Sequence, residues 1–280
     1  MAAAGAERGR RRMLKDITLG QYFPGDTIVH RLDPRTKLLC VILYIVALFC
    51  AKWFVSYAVV VGALIVCIRL SRVKMKALTR GLRTVYIIVA FTAIMNLFFT
   101  GGEPISDLPV LRHISAAGIY AAFFMMLRIV LLIMGSFLLT YTTSPISLTD
   151  ALDSLLSPLK KLHFPVHELT LMMSLALRFI PTLIEETDKI MSAQKARGAD
   201  FESGNIFRRA KALVPILVPL FISAFRRADE LATAMESRCY HGGEGRTALY
   251  VLRYRTMDYV ALALFVLLVA AVIVLRRFGW

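Results

Sequence analysis

Apolar residues in this chain gather in long blocks, and polar residues collect between the blocks. Five blocks are candidates to cross a bilayer: Leu38–Ala51, Trp53–Ile68, Val85–Thr100, Ile119–Tyr141 and Tyr259–Leu275. A full crossing takes about 20 residues. Several blocks are shorter, so flanking residues or local thinning of the bilayer must make up the difference. Lys52 is the only charge between the first two blocks, which predicts a tight hairpin there.

Between Thr142 and Met257 the pattern changes. Three helical segments are expected, still rich in Leu, Met, Phe and Ile. Leu148–Leu162 is short and starts from the turn Thr143-Ser144-Pro145. His167–Arg197 would be about 45 Å long as a helix. It sets Leu169, Met172, Met173, Ala176, Ile180, Leu183, Ile184, Thr187 and Met191 at the i, i+3, i+4, i+7 spacing of one face. Asn205–Arg238 is similar in length, and Pro215 and Pro219 are expected to kink it. Within it Ala212–Phe225, roughly 21 Å, falls short of the ~30 Å hydrocarbon core. Charged residues flank it at both ends, so it is expected to lie along the membrane face. Both long segments are nearly apolar all round in their first halves and amphipathic in their second. The first halves are expected to bury against membrane-embedded protein and the second halves to project into the cytoplasm. The organisation expected is a basic tail (1–18), a four-helix membrane unit (19–141), a cytoplasmic helical region (142–245) and a C-terminal span (246–280).

Composition agrees with this pattern. The 280 residues are 58% hydrophobic with a mean hydropathy of +0.64, which predicts an all-α integral membrane protein of about five spans. The net charge of +15 adds orientation. Lys and Arg number 29 on one side of the spans and 4 on the other, with Arg128 inside a span. The basic side is therefore expected to be cytoplasmic, with the N-terminus inside and the C-terminus outside. No Cys/His finger or RNA-binding aromatic motif supports nucleic acid as the reason for the charge. Cys40, Cys50, Cys67 and Cys239 contain no CxxC pair and read as small hydrophobes in a reducing setting.

Catalytic chemistry is missing from the pattern. There is no GxxxxGK[ST] loop, no HExxH, no GxSxG and no acidic cluster within a span. Gly242-Gly243-Glu244-Gly245-Arg246 follows a helix end and reads as an exit loop. His163 and His167 have Pro165 between them, which disfavours a helical metal pair. No catalytic and no metal-binding residues are expected. Arg128 is the one clear charge in a span, which makes it a candidate functional residue; a structural role through a backbone carbonyl is the stronger expectation.

Two stretches 41 positions apart look like copies of one device. Gln194-Lys195-Ala196-Arg197-Gly198 and Met235-Glu236-Ser237-Arg238-Cys239 each end a long helix with an arginine between small residues. At that offset Asp188 pairs with Asp229, Ile190 with Leu231, Ser192 with Thr233 and Ala193 with Ala234. A cation in a last helical turn favours the dipole by ~0.3–1 kcal/mol, and Gly198 suits a left-handed cap. Neither accounts for the repetition. Small neighbours let an arginine tip enter a groove and fork onto carboxylates or carbonyls.

These residues, with Tyr22-Phe23-Pro24-Gly25-Asp26, His30-Arg31-Leu32-Asp33-Pro34-Arg35-Thr36-Lys37, Thr142-Thr143-Ser144-Pro145 and Leu175-Ala176-Leu177-Arg178-Phe179-Ile180-Pro181, give the chain a resemblance from about Leu19 to Trp280. It resembles the transmembrane T component of energy-coupling-factor transporters, the vitamin- and metal-importing branch of ABC transporters. The resemblance implies a non-catalytic coupling subunit in a prokaryotic cell membrane, with two crossing coupling helices. Ala196, Arg197 and Gly198, and then Ser237, Arg238 and Cys239, would dock into two cytosolic ATPase subunits. ATP and magnesium would bind on those partners, and no cofactor on this chain. A substrate-binding S component would rest on the apolar faces, here Leu169, Met172, Met173, Ala176, Ile180, Leu217 and Phe221. The second motif departs from the family pattern, since Ser237 and Cys239 replace both small neighbours. The N-terminal motif looks more like the shared vitamin module than a dedicated cobalt or nickel permease. A self-contained secondary transporter or channel is the competing expectation; it needs polar, discontinuous spans.

Overall fold

The computed structural model describes residues 22–99, 115–162, 164–201, 205–242 and 252–278. The basic tail expected over 1–18, His163 and most of the Gly242–Arg246 loop lie outside the described residues. The described chain is helical without strands: α1 (Ile28–Arg31), α2 (Pro34–Cys50), α3 (Phe54–Ser71), α4 (Met75–Phe99), α5 (Ala116–Thr142), α6 (Pro145–Leu156) followed by a 3-10 turn (Ser157–Leu162), α7 (Val166–Ala196), α8 (Ile206–Glu236) and α9 (Thr256–Phe278). Helix starts follow capping chemistry. The Asp33 side chain accepts the Arg35 amide at 2.9 Å and Pro34 occupies the first helical position. Ser115 accepts the Gly118 amide at 2.9 Å, and Ser144 accepts the Ser147 amide at 3.1 Å, so α6 starts at Pro145, earlier than the apolar pattern indicated.

The chain divides into two compact units, one of Gly20–Ala151 with Val251–Trp280, the other holding Leu152–Tyr250. In the first unit α3, Gly118–Thr142 of α5 and α9 are each long and apolar enough to cross a membrane, and Ala77–Arg83 with Val85–Phe99 of α4, bent by 59°, qualify only when counted together as one span. The fifth expected span, α2, has 17 residues, about 26 Å of helix, and is the shortest of the set. It packs on α3, α5 and α9. Tyr44, Leu48, Tyr57, Val60, Leu131, Leu138, Tyr141, Leu268 and Val272 make the core. Neither α7 nor α8 carries a window apolar enough to cross.

A polar knot ties the basic ends of these helices together. The buried Asp258 carboxylate accepts the Asp33 amide at 2.8 Å and the Arg255 amide at 2.7 Å, joining the starts of α2 and α9. The buried Lys37 ammonium donates to the His30 carbonyl at 3.0 Å and the Thr142 carbonyl at 2.9 Å, fixing the end of α5 to the same point. Arg35 donates to the Leu252 carbonyl at 3.3 Å and lies over the Tyr254 ring. Upstream, His30 Nε2 stands 3.1 Å from the Phe23 carbonyl, which only accepts, so Nε2 carries the proton. Neutral Nδ1 then accepts from the Thr27 hydroxyl at 2.6 Å. Partial burial holds this imidazole below its ordinary pKa, partly opposed by the Phe23 bond. The Phe23 amide donates to the Tyr141 carbonyl at 3.0 Å, and the two rings meet edge to face. The motif His30–Lys37 is the site of this knot.

Arg128 closes the opposite end of α2. Its Nη2 donates to the Ala51 carbonyl at 3.1 Å, at the C-cap, and its Nε to the Tyr57 hydroxyl at 3.0 Å, with the guanidinium near the Phe49 and Tyr57 rings. The hairpin between α2 and α3 is as tight as expected, Ala51 to Trp53. The helices also approach closely at glycines. A methyl group on Gly135 would stand 2.5 Å from the Tyr44 ring, whose hydroxyl donates to the Leu131 carbonyl at 3.0 Å. A methyl on Gly81 would meet the Phe137 ring at 2.2 Å. Gly135→Ala is expected to cost about 1–3 kcal/mol through overpacking, read as a lower Tm of the purified chain. Gly62→Ala, where nothing lies within 4 Å, is expected to be neutral or to stabilise by up to ~1 kcal/mol.

Candidate functional site

The second unit presents the two repeated ends. At the tip of α7 the Gly198 amide bonds the Lys195 carbonyl at 3.0 Å and the Ala199 amide the Gln194 carbonyl at 3.0 Å, with Gly198 at φ +86°. At the tip of α8 the Cys239 amide bonds the Glu236 carbonyl at 2.9 Å and the Tyr240 amide the Met235 carbonyl at 3.0 Å, with Cys239 at φ +57°. Every partner corresponds at the 41-residue offset. Both ends are Schellman caps with one residue in the left-handed region. The sequence repeat is therefore a structural repeat, and Cys239 holds a conformation that suits glycine. Ala196, Arg197, Gly198, Ser237, Arg238 and Cys239 are all exposed. Backbone amides close both caps onto the Gln194, Lys195, Met235 and Glu236 carbonyls, so neither cap depends on its arginine side chain. Among the described residues neither guanidinium has a hydrogen-bond or ion-pair partner.

The two helices touch at a polar clasp. Glu186 of α7 receives the Ser223 hydroxyl on Oε1 and the Arg227 guanidinium on Oε2 at 2.8 Å. Residues 186 and 227 are themselves 41 apart, so at this contact a position meets its own repeat counterpart. A second tie uses a proline. Pro219 has no amide hydrogen, which leaves the Pro215 carbonyl without its helical donor. Gln194 Nε2 of α7 reaches that carbonyl at 3.5 Å. Helical structure continues past Pro215 and Pro219, as past Pro181 in α7. At the start of α7, Thr170 donates to Asp153 at 2.9 Å and His167 lies 4.0 Å from the same carboxylate.

Of the apolar positions singled out, Leu169, Met172, Met173, Ala176, Leu217 and Phe221 are exposed and Ile180 is half-buried. Phe207, Leu213, Val214, Val218, Ile222 and Phe225 extend the exposed apolar surface along α8. Contiguous apolar surface of this extent marks a contact with another apolar body. The clasp was missed by sequence reasoning, although the same alignment that pairs Asp188 with Asp229 sets Glu186 opposite Arg227. Among the described residues no cluster of three or more metal-binding side chains occurs.

Two outcomes follow from this geometry. Cys239→Gly removes about 1 kcal/mol of left-handed strain, expected as slower amide exchange at the α8 tip. The Ser223 bond first, then Arg227, holds the Glu186 carboxyl below the usual carboxylate range. A depressed value means that the clasp is complete above the ordinary carboxylate pKa, about 4.3, and is lost as pH falls through the lower folded-state value. Protection of α7 and α8 around the crossing is expected to drop there, and Glu186→Gln to abolish that pH dependence.

Comparison with known proteins follows the same residues. The model of the family described as CbiQ, cobalt transport protein, matches residues 25–249. A Clostridium kluyveri protein named energy-coupling factor transporter transmembrane protein EcfT is 50% identical over 272 residues, covering 96% of this chain and 99% of the relative. Proteins of the same name from Acidaminococcus fermentans and Bacillus subtilis are 52% and 47% identical, over 91% and 94% of this chain and 97% and 100% of their own lengths. Identity at this level across nearly the whole of both chains, on a helical membrane scaffold with two matching arginine ends, places the chain in the family of energy-coupling factor transporter transmembrane proteins.

Proposed function

We propose that this chain is the non-catalytic coupling subunit of a multi-subunit importer, with its N-terminus and basic helix ends in the cytoplasm. Arg197 and Arg238 each enter a groove on one of two cytosolic ATPase subunits, which alone bind ATP and magnesium. The exposed apolar faces of α7 and α8, around Met172, Met173, Leu217 and Phe221, carry a membrane-embedded S component that binds the cargo. ATP-driven movement of the ATPase pair changes the spacing of the two tips, and the clasped helices pass that change to the S component. The observation that carries this reading is the pair of unpartnered arginines on two identical caps at the ends of helices joined at equivalent residues. A two-fold pair of ATPases fits such an arrangement.

The N-terminal motif favours the shared module serving several vitamin binders; the description of the matching family model, cobalt transport protein, favours the dedicated metal permease as the second reading. A self-contained transporter would use Arg128 as its intramembrane charge. The acceptors of both Arg128 hydrogen bonds, the Ala51 carbonyl and the Tyr57 hydroxyl, lie on the α2–α3 hairpin, which favours a structural role for it.

Arg197→Glu and Arg238→Glu are expected to leave the chain in the membrane while reducing ATPase co-purification and vitamin uptake at least tenfold, the double variant more than either single one. Each places a carboxylate where a buried guanidinium would form interface bonds. Normal co-purification and uptake by the double variant would reject the docking role.

A further inference from the structure

The first unit contains a groove with no assigned role. It encloses about 610 Å³ between α1, α2, α3, α9 and the end of α5. Its walls, among them Val41, Val66, Leu70, Val260 and Leu264, are apolar nearly throughout. Lys37 and Thr142 lie at one end, but the Lys37 ammonium is already committed to two carbonyls. Along α9 the lining runs from Thr256 to Ala271, a rise of about 22 Å, and along α3 from Leu70 to Val59, about 16 Å. Half of a ~30 Å hydrocarbon core is ~15 Å, so the α3 wall has about the depth of one leaflet and the α9 wall extends beyond it. Val66, Leu264 and Leu267 leave it open at the side. A single flexible hydrocarbon chain has the right form.

The mouth supplies the second half of the argument. Three of the lining elements, α1, α3 and α9, carry exposed arginine close in sequence to their lining residues. Arg31 lies between Val29 and Leu32, Arg69 and Arg72 flank Leu70, and Arg253 and Arg255 precede Thr256. The acids here are few. Asp33 and Asp258 are buried and bonded within the knot, leaving Asp26 exposed. A zwitterionic head group would bring its ammonium towards these guanidiniums, whereas a head group with net negative charge meets them favourably. We propose that the groove is a binding site for one anionic phospholipid, with an acyl chain along α3 and α9 and its phosphate against Arg31, Arg69 and Arg255.

The test is native mass spectrometry of the delipidated full-length chain, titrated with phosphatidylglycerol and phosphatidylcholine of identical acyl chains. One phosphatidylglycerol is expected to bind at least tenfold more tightly than phosphatidylcholine. Arg69→Ala and Arg255→Ala are each expected to weaken phosphatidylglycerol about fivefold, the effect of one basic residue at a membrane surface, and to leave phosphatidylcholine unchanged. Val66→Trp, at an exposed lining position, is expected to displace both lipids. Equal affinity for the two lipids in the wild-type chain would overturn the proposal, whatever the variants do. So would phosphatidylglycerol binding that survives Val66→Trp, or photo-crosslinking from position 66 in the intact complex to a polypeptide instead of a lipid.

Discussion

The membrane unit depends on one buried carboxylate and one buried ammonium at its basic end. Asp258 accepts the amides that open α2 and α9, and Lys37 donates to the carbonyl that ends α5. Helix ends leave backbone groups without helical partners, and burying them without replacements is costly. Placing four such ends around two side chains answers that cost and fixes the helices relative to one another. Apolar packing in the span could then vary in detail without changing which ends meet. Arg128 performs the corresponding service at the far end of α2, where the hairpin leaves the Ala51 carbonyl exposed to an apolar setting.

Much of the scaffold was legible because the bilayer imposes a simple pattern: apolar blocks became helices, and Asp33-Pro34 started one as capping chemistry requires. The beginning of α4 was less legible. Its first turns, from Met75, include Arg83 and other polar residues, and a helix needs no apolarity where it lies outside the hydrocarbon. The knot could not be read at all. Asp33 and Asp258 are 225 positions apart and Lys37 and Thr142 are 105 apart, and no local periodicity reports such pairings. Arg128 was visible as an anomaly, but its partners Ala51 and Tyr57 became identifiable only with the fold.

The arginine ends were legible for the opposite reason, since a repeat compares the chain with itself. The offset of 41 aligned the residues whose backbone groups form both caps. It also contained Glu186 and Arg227, but an acid opposite a base looks like a mismatch in an alignment of similar residues. The fold turns that mismatch into a contact. The Schellman geometry sharpens the reading of the tips as well. With both caps closed by backbone amides, Arg197 and Arg238 have no capping duty that would hold their side chains back.

The contact between Glu186 and Arg227 also says something about why both arms belong to one polypeptide. Two identical chains meeting on a two-fold axis must set like against like at the axis, Glu against Glu or Arg against Arg. Covalent linkage of the halves lifts that restriction, because each copy can diverge alone. Here position 186 is acidic and its repeat counterpart 227 basic, so the two meet as an ion pair. That pairing gives the crossing a polarity that a symmetric assembly could not possess, and it allows the two arms to differ in what they bind.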